Sequence, residues 1–216
     1  MEMLSEAKIK RFTGGAVSET NDEVITERRA SIIVNGEHCA SLLCLPQDLD
    51  ELAVGFVFSE GLAGAGVDLE NLPKIESAIK ISSEEVVRIA ASFEGQSELF
   101  FKTGAVHSCA MVFPGGASLF YEDIGRSNAV DKAIGKALID GLNPEEGILV
   151  TSGRVTSEII LKAARLRIPV VISVSAPTDR AVEIAVKTDI TLIGFARGSR
   201  FNVYSGGGRV VGVCSG

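Results

Sequence analysis

Three short stretches in the last third of the chain carry residue types that bind anions: Thr151-Ser-Gly-Arg154, Ser173-Val-Ser-Ala-Pro-Thr178 and Gly194-Phe-Ala-Arg-Gly-Ser-Arg200. Each follows an apolar, strand-like run, and each combines hydroxyls or Arg with small residues that let backbone amides approach a ligand. Arg154, Arg197 and Arg200 offer the forked guanidinium geometry that grips phosphate oxygens. Each could instead cap a loop or pair with Glu158 or Asp179. Agreement among three strand ends points to a phosphate-bearing ligand. A fourth stretch, Tyr121-Glu-Asp-Ile-Gly-Arg-Ser-Asn-Ala-Val-Asp-Lys132, concentrates charge between a strand-like run, 117–120, and a helical period through Ala129, Val130, Ala133, Ile134, Ala137 and Leu138. Gly125 to Asn128 is then a strand-to-helix junction with Ser127 or Asn128 as the expected N-cap. Arg126 beside it strengthens a helix end that already favours anions.

His107 and Cys109 fall two apart on an expected strand, hence on one face, where a thiolate–imidazole pair is possible. A core thiol beside a hydrogen-bonded His is the simpler outcome. His107-Ser-Cys109 is not the His-x-Glu of zinc deaminases, and no Pro-Cys-x-x-Cys follows, so a zinc-deaminase mechanism is not supported. Neither Gly-x-x-x-x-Gly-Lys-Ser/Thr nor Gly-x-Gly-x-x-Gly after a strand occurs, which argues against an NTPase or an ordinary dinucleotide site. The four cysteines, Cys39, Cys44, Cys109 and Cys214, lack metal-type spacing. Alternation along one strand sends Cys39 and Cys44 to opposite faces.

These residues are positioned by two expected units. In the first, Met1 to Asp22 reads as poorly ordered or as a strand that pairs late. Asn35-Gly36 joins two strand-like runs as a hairpin. Asp48 or Asp50 caps a helix with Leu49, Leu52, Ala53, Phe56 and Val57 on its apolar face, closed by Gly61. Alternating runs at 75–81 and 84–91 suggest a second hairpin. The second unit alternates strand and helix: strands at 107–113, 117–120, 148–151, 170–175, 190–195 and 201–204, helices at 156–166 and 177–186, then a glycine-rich loop at 206–208. Pro177 suits a first helical turn. The pattern predicts an α/β fold with parallel strands and right-handed crossovers. The expected boundary gives a small α+β domain at 1–95 and a ligand-binding domain at 96–216.

The formal charge is −7 over 216 residues, which argues against general nucleic-acid or anionic-membrane binding. From Gly153 onward nine Lys/Arg face four Asp/Glu, so this basic third leaves −12 on the remainder. A small anionic ligand handled in the basic third fits that imbalance. No signal peptide and no apolar run near ~20 residues is visible, so a soluble, cytoplasmic protein is expected.

The chain also resembles a known family. Thr103-Gly-Ala-Val-His107, the 121–132 stretch, Ser152-Gly-Arg154 with Glu158, Ser175-Ala-Pro-Thr178, and Leu192-Ile-Gly-Phe195 through Tyr204 occur in the order seen in FdhD, the formate dehydrogenase accessory sulfurtransferases. Val34-Asn-Gly36, Leu52-Ala-Val-Gly-Phe56 and Ser59-Glu-Gly61 match as well. The resemblance implies transfer of sulfur from a cysteine desulfurase to the molybdenum (or tungsten) bis-molybdopterin guanine dinucleotide cofactor of formate dehydrogenase. It implies a cytidine-deaminase-like second domain with helices around a mixed, largely parallel sheet, and a homodimer that meets the formate dehydrogenase catalytic subunit. It places the cofactor at Phe195, Ala196, Arg197, Gly198, Ser199 and Arg200, joined by Arg154, Arg126 and His107, with GDP as a partial mimic. A cofactor-inserting chaperone without covalent chemistry is the alternative.

Two departures stand out. The family usually writes Arg-His where this chain has Arg126-Ser127. Its sulfur-carrying Cys-x-x-Cys falls in a loop before Thr-Gly-x-x-His, and here Arg88 to Thr103 contains no cysteine, so the catalytic residue is unassigned. A mobile stretch missing near Ser92–Gln96, a member that only binds cofactor, or Cys109 as carrier would each account for this. The glycine-bearing loop composition favours the first.

Overall fold

A computed structural model describes residues 2–63 and 72–212; Cys214 lies outside them. The polar N-terminus forms a ten-residue ribbon of β1 (Leu4–Thr13) and β2 (Ala16–Ile25), rather than the poorly ordered segment or late-pairing strand expected. Gly14 and Gly15, both at positive φ, supply the tight turn, and Lys10–Glu19 and Arg11–Asp22 pair across it. The Asn35-Gly36 turn joins β3 (Arg28–Val34) to β4 (Glu37–Cys44) as expected.

Helix α1 (Leu49–Ser59) follows. Its N-cap is Asp48, in the left-handed region at φ 54°, and the side chain does not cap. The second hairpin does not form. Only β5 (Ile81–Ser82) is extended, and residues 83–94 become α2 (Ser83–Glu94). The Ser82 hydroxyl accepts from Glu85 N–H, while the Glu85 carboxylate accepts from Ser82 N–H. This capping box overrides the apparent alternation, and Val86, Ile89, Ala90 and Phe93 share one buried face. Residues 92–96, expected as a mobile loop, are the last turn of α2 and a short connection to α3 (Glu98–Thr103).

The second half builds one six-stranded sheet. Its strands are β6 (His107–Val112), β7 (Ser118–Asp123), β8 (Ile148–Thr151), β9 (Val170–Ser173), β10 (Thr191–Arg197) and β11 (Arg200–Ser205), ordered β11-β10-β9-β8-β6-β7. Parallel pairing is confined to the central β8, β9 and β10; β6, β7 and β11 are antiparallel, so the sheet is mixed. Helices α4 (Arg126–Ile139), α5 (Ser157–Arg165) and α6 (Asp179–Thr188) cover one face, with α1 outside α4, and α2 covers part of the other. Pro177 precedes α6 and forms an isolated bridge with Val155, because Thr178 takes the cap by accepting from Ala181 N–H. The glycine-rich tail turns through 207–209 into β12 (Val210–Val211), which pairs with β5. The boundary expected at 95/96 falls between α2 and α3, and both α1 and α2 pack on elements of the second half.

The closest packing is between α1 and α4. A Cβ on Gly55 would lie 1.8 Å from the Asp131 carbonyl oxygen, and one on Gly135 would lie 1.9 Å from that of Glu51. Neither backbone can yield without parting the helices. Gly55→Ala and Gly135→Ala should each lower unfolding stability by about 3 kcal/mol or more. Gly95→Ala, whose Cβ meets nothing closer than 3.8 Å, should be nearly neutral. Urea denaturation of the three variants measures this.

Candidate functional site

The carboxyl ends of β8, β9 and β10 emerge at one sheet edge, where open α/β sheets bind ligands. The antiparallel pairing of β6 brings its first residue, His107, to the same edge. Ser152 Oγ accepts from Ser108 N–H at 2.9 Å, and Ser152 N–H donates to the Ser108 carbonyl at 3.0 Å, locking the two strand ends. Ser173 Oγ donates to the Gly153 carbonyl at 2.8 Å. The Arg126 side chain lies over Gly153, with Cδ only 2.4 Å from where a Cβ would be, so any side chain at 153 would displace it.

The 121–132 stretch acts here as a structural hub. Asp123 is fully buried, and its carboxylate accepts from Leu45 N–H (3.0 Å), Gly125 N–H (2.9 Å) and Asn128 Nδ2 (2.9 Å), while Lys132 Nζ pairs with it at 2.7 Å. This fixes α4 against β7 and the end of β4. The N-cap is therefore Gly125, not Ser127 or Asn128, because the Asn128 amide is committed to Asp123 and to the Leu43 carbonyl.

A cavity of about 550 Å³ opens at this edge. His107, Ser108, Ser152 and Arg197 contribute polar groups, with Ser97 and the carboxylate of Glu94 also on the lining; Phe93, Phe100, Phe101, Val106, Ile124 and Val174 make most of the remaining wall. Arg197 is held by an Nε–H donated to the Val174 carbonyl at 2.5 Å. Arg154 and Arg200 are exposed and have no carboxylate partner among the described residues, against the expected alternatives of Glu158 and Asp179. Arg126 Nε is shielded from solvent without an acceptor. Desolvation first, then the guanidiniums of Arg126 and Arg154, lower the His107 pKa and favour the neutral ring. The edge is an apolar slot beside a cationic rim, suited to a flat ring with an anionic tail. Another cavity, about 390 Å³ between α2 and the β6–β7 turn, offsets Lys80 and Arg88 with Glu85 and Glu146 and has no such bias.

The structure thus gathers His107, Arg126, Arg154 and Arg197. Gly198 and Ser199 form the exposed β10–β11 turn and Arg200 opens β11, all three outside the cavity, and Ala196 is buried in the second core layer. Phe195 adopts φ 53° in a bulged part of β10, a strained conformation for a residue with a side chain. Sequence reasoning missed the aromatic wall on α3. Its signal was Ser97, which caps Phe100 N–H, and Gly104, which ends the helix in the left-handed region.

No His107–Cys109 pair exists. Cys109 is fully buried, its thiol donates to the Ala110 carbonyl, and burial holds that thiol well above the usual range. Cys44 is also buried, with its thiol raised by desolvation and then by Asp123. Cys39, the residue left over in the bulge between Ile32↔Ala40 and Ile33↔His38, is exposed.

Residues 25–74 and 64–211 match the sequence model of the FdhD/NarQ family. The chain belongs to the FdhD/NarQ family. The sulfur carrier protein FdhD of Listeria monocytogenes (serotype 4b, strain F2365) is 31% identical over 262 positions, covering 97% of this chain and 100% of that one. That span exceeds 216, so the alignment opens gaps in this chain. Protein FdhD of Methanocaldococcus jannaschii is 38% identical over 228 positions, covering 95% and 98%. A crystallised protein from Desulfotalea psychrophila, assigned as a formate dehydrogenase accessory protein, superimposes with a TM-score of 0.84 at 26% identity, covering 97% of this FdhD/NarQ chain and 100% of its own.

Thiol reactivity follows from burial. An aromatic disulfide reagent should modify Cys39 in the native state and leave Cys44 and Cys109 intact until denaturant is added. Peptide mapping after a timed reaction checks each site. Native-state labelling of Cys109 would contradict the packing described.

Proposed function

We propose that this protein serves formate dehydrogenase as an FdhD-type accessory protein, holding the molybdenum (or tungsten) bis-molybdopterin guanine dinucleotide as cargo. The observation that carries this reading is the apolar slot beside His107, Arg126, Arg154 and Arg197 at the carboxyl ends of the parallel strands. A cavity of about 550 Å³ accommodates one nucleotide-sized arm, leaving the rest of so large a cargo over the exposed Arg154 and Arg200. The donor set fits: guanidiniums for phosphates, aromatic rings for a base. The mixed sheet with helices on both faces supports a cytidine-deaminase-like origin for this unit.

GDP should therefore bind in calorimetry. Arg197→Ala should weaken it about tenfold or more, and Arg200→Ala by less, since only Arg197 lines the cavity. Unchanged affinity in Arg197→Ala would remove the site assignment. A bound anion favours the imidazolium, so GDP binding should draw a proton onto His107 as pH falls from 7.5 toward 6. The parent should gain affinity relative to His107→Gln over that range, with the ligand's own titration common to both.

The names borne by relatives favour a second reading, in which the protein also carries sulfur for the cargo. With Cys44 and Cys109 buried, Cys39 is the described thiol open to a donor. Under this reading a cysteine desulfurase is the donor, the bound cofactor the acceptor of sulfur, the formate dehydrogenase catalytic subunit the partner that takes the cargo, and the working unit a homodimer. Intact mass after incubation with a desulfurase and cysteine should show one added sulfur that a thiol reductant removes. No gain would leave cargo binding alone.

A further inference from the structure

The outer wall of the cavity is α3, and its packing is unlike that of the other helices. None of its residues is buried. Phe100 is 50% exposed and Phe101 72% exposed, although both line the cavity, and their rings meet edge to face at 6.4 Å. Polar contacts secure its ends: the Glu122 carboxylate accepts from Ser97 Oγ and from the backbone of Leu99 and Phe100, and Lys102 Nζ pairs with Glu23 on β2 at 3.1 Å. Gly104, at φ +67° with nothing within 4 Å of a Cβ position, caps α3 in the left-handed region where the chain turns toward β6.

We propose that α3 is a lid, closing on a ligand at the strand ends so that Phe100 and Phe101 stack on its planar ring. The proposal rests on the nucleotide reading above and adds the group that selects for a ring. Two exposed phenylalanines on a marginally packed helix leave apolar surface in water that closure would cover. Val106, Ile124 and Val174 supply further apolar lining, while His107 and Arg197 receive the anionic tail. The ligand class is accordingly a flat heteroaromatic carrying phosphate, held by stacking that tolerates different rings.

The test uses GDP and inorganic pyrophosphate, the second having the anionic tail without the ring. The chain contains no tryptophan, so Phe101→Trp introduces a single fluorescent reporter. GDP should shift its emission and pyrophosphate should not. The double variant Phe100→Ala/Phe101→Ala should lose about 10- to 100-fold in GDP affinity and less than twofold in pyrophosphate affinity. It should melt like the parent, because α3 buries none of its side chains. Amides 98–104 of the unsubstituted protein should gain hydrogen-exchange protection on adding GDP. Unchanged GDP affinity in the double variant, equal losses for both ligands, or no gain in protection overturns the lid while leaving the nucleotide site standing. Absence of GDP binding to the unsubstituted protein overturns the site reading and the lid with it.

Discussion

Helices α1 and α4 touch backbone to backbone at Gly55 and Gly135, and the candidate site depends on that contact. No side chain intervenes, so the turns of α1 that carry Glu51 and Ser59 lie directly on the turns of α4 that carry Asp131 and Gly135. The approach places Ser59 Oγ within hydrogen-bonding reach of Asp131, where it donates at 2.6 Å, and lets Lys162 of α5 meet Asp131 at 3.0 Å and Glu60 at 2.6 Å. Three helices are thereby held by one buried charge cluster. Widening the α1–α4 gap by the size of a methyl group would strand Lys162 and Asp131 without good geometry, and breaking a buried pair is costly.

That cluster is not a free gain in stability. Burial outweighs the attraction of Lys162 and the hydrogen bond from Ser59, pushing the Asp131 carboxyl up to about 6. What it provides is a single register for α4, whose first turn carries Arg126. Asp123 does the same from the other side, with donors from β4, α4 and the intervening turn on one carboxylate. Between these two anchors α4 cannot slide, so Arg126 stays over Gly153 and beside the strand ends. The site is rigid on its sheet side and loosely packed only at α3.

Charge is distributed to the same end. An acidic chain at −7 nonetheless presents His107 and Arg197 on the cavity lining, Arg126 and Arg154 close to His107, and Arg200 at the start of β11. The buried carboxylates Asp123 and Asp131 are occupied by Lys132 and Lys162, leaving the arginines at the rim for a ligand. Placing Lys132 and Lys162 in the interior and Arg154 and Arg197 at the edge suits their chemistry: a compact ammonium satisfies a buried carboxylate, and a planar fork reads phosphate.

Much of this was legible in the residues. The strand–helix alternation from 148 onward, the Asn35-Gly36 hairpin and α1 follow from local patterns whose periods are set by backbone geometry. The arginine-bearing strand ends likewise follow from the rule that parallel strands share one ligand edge. Family membership was legible because its motifs are contiguous. The errors arose where a local signal was weighed against the wrong competitor. Residues 84–91 alternate like a strand, yet the reciprocal cap between Ser82 and Glu85 and a buried helical face prevail. Asn128 has a capping side chain, but Asp123 and Leu43 claim its amide from 5 and 85 residues away. The sequence by itself determined the elements, the basic edge and the family. Only the tertiary structure decided that α3 faces the cavity, that Cys109 is inert and that the charged 121–132 stretch is chiefly an anchor. Those outcomes depend on which distant groups compete for the same buried space and the same hydrogen bonds, and no window along the chain contains both competitors.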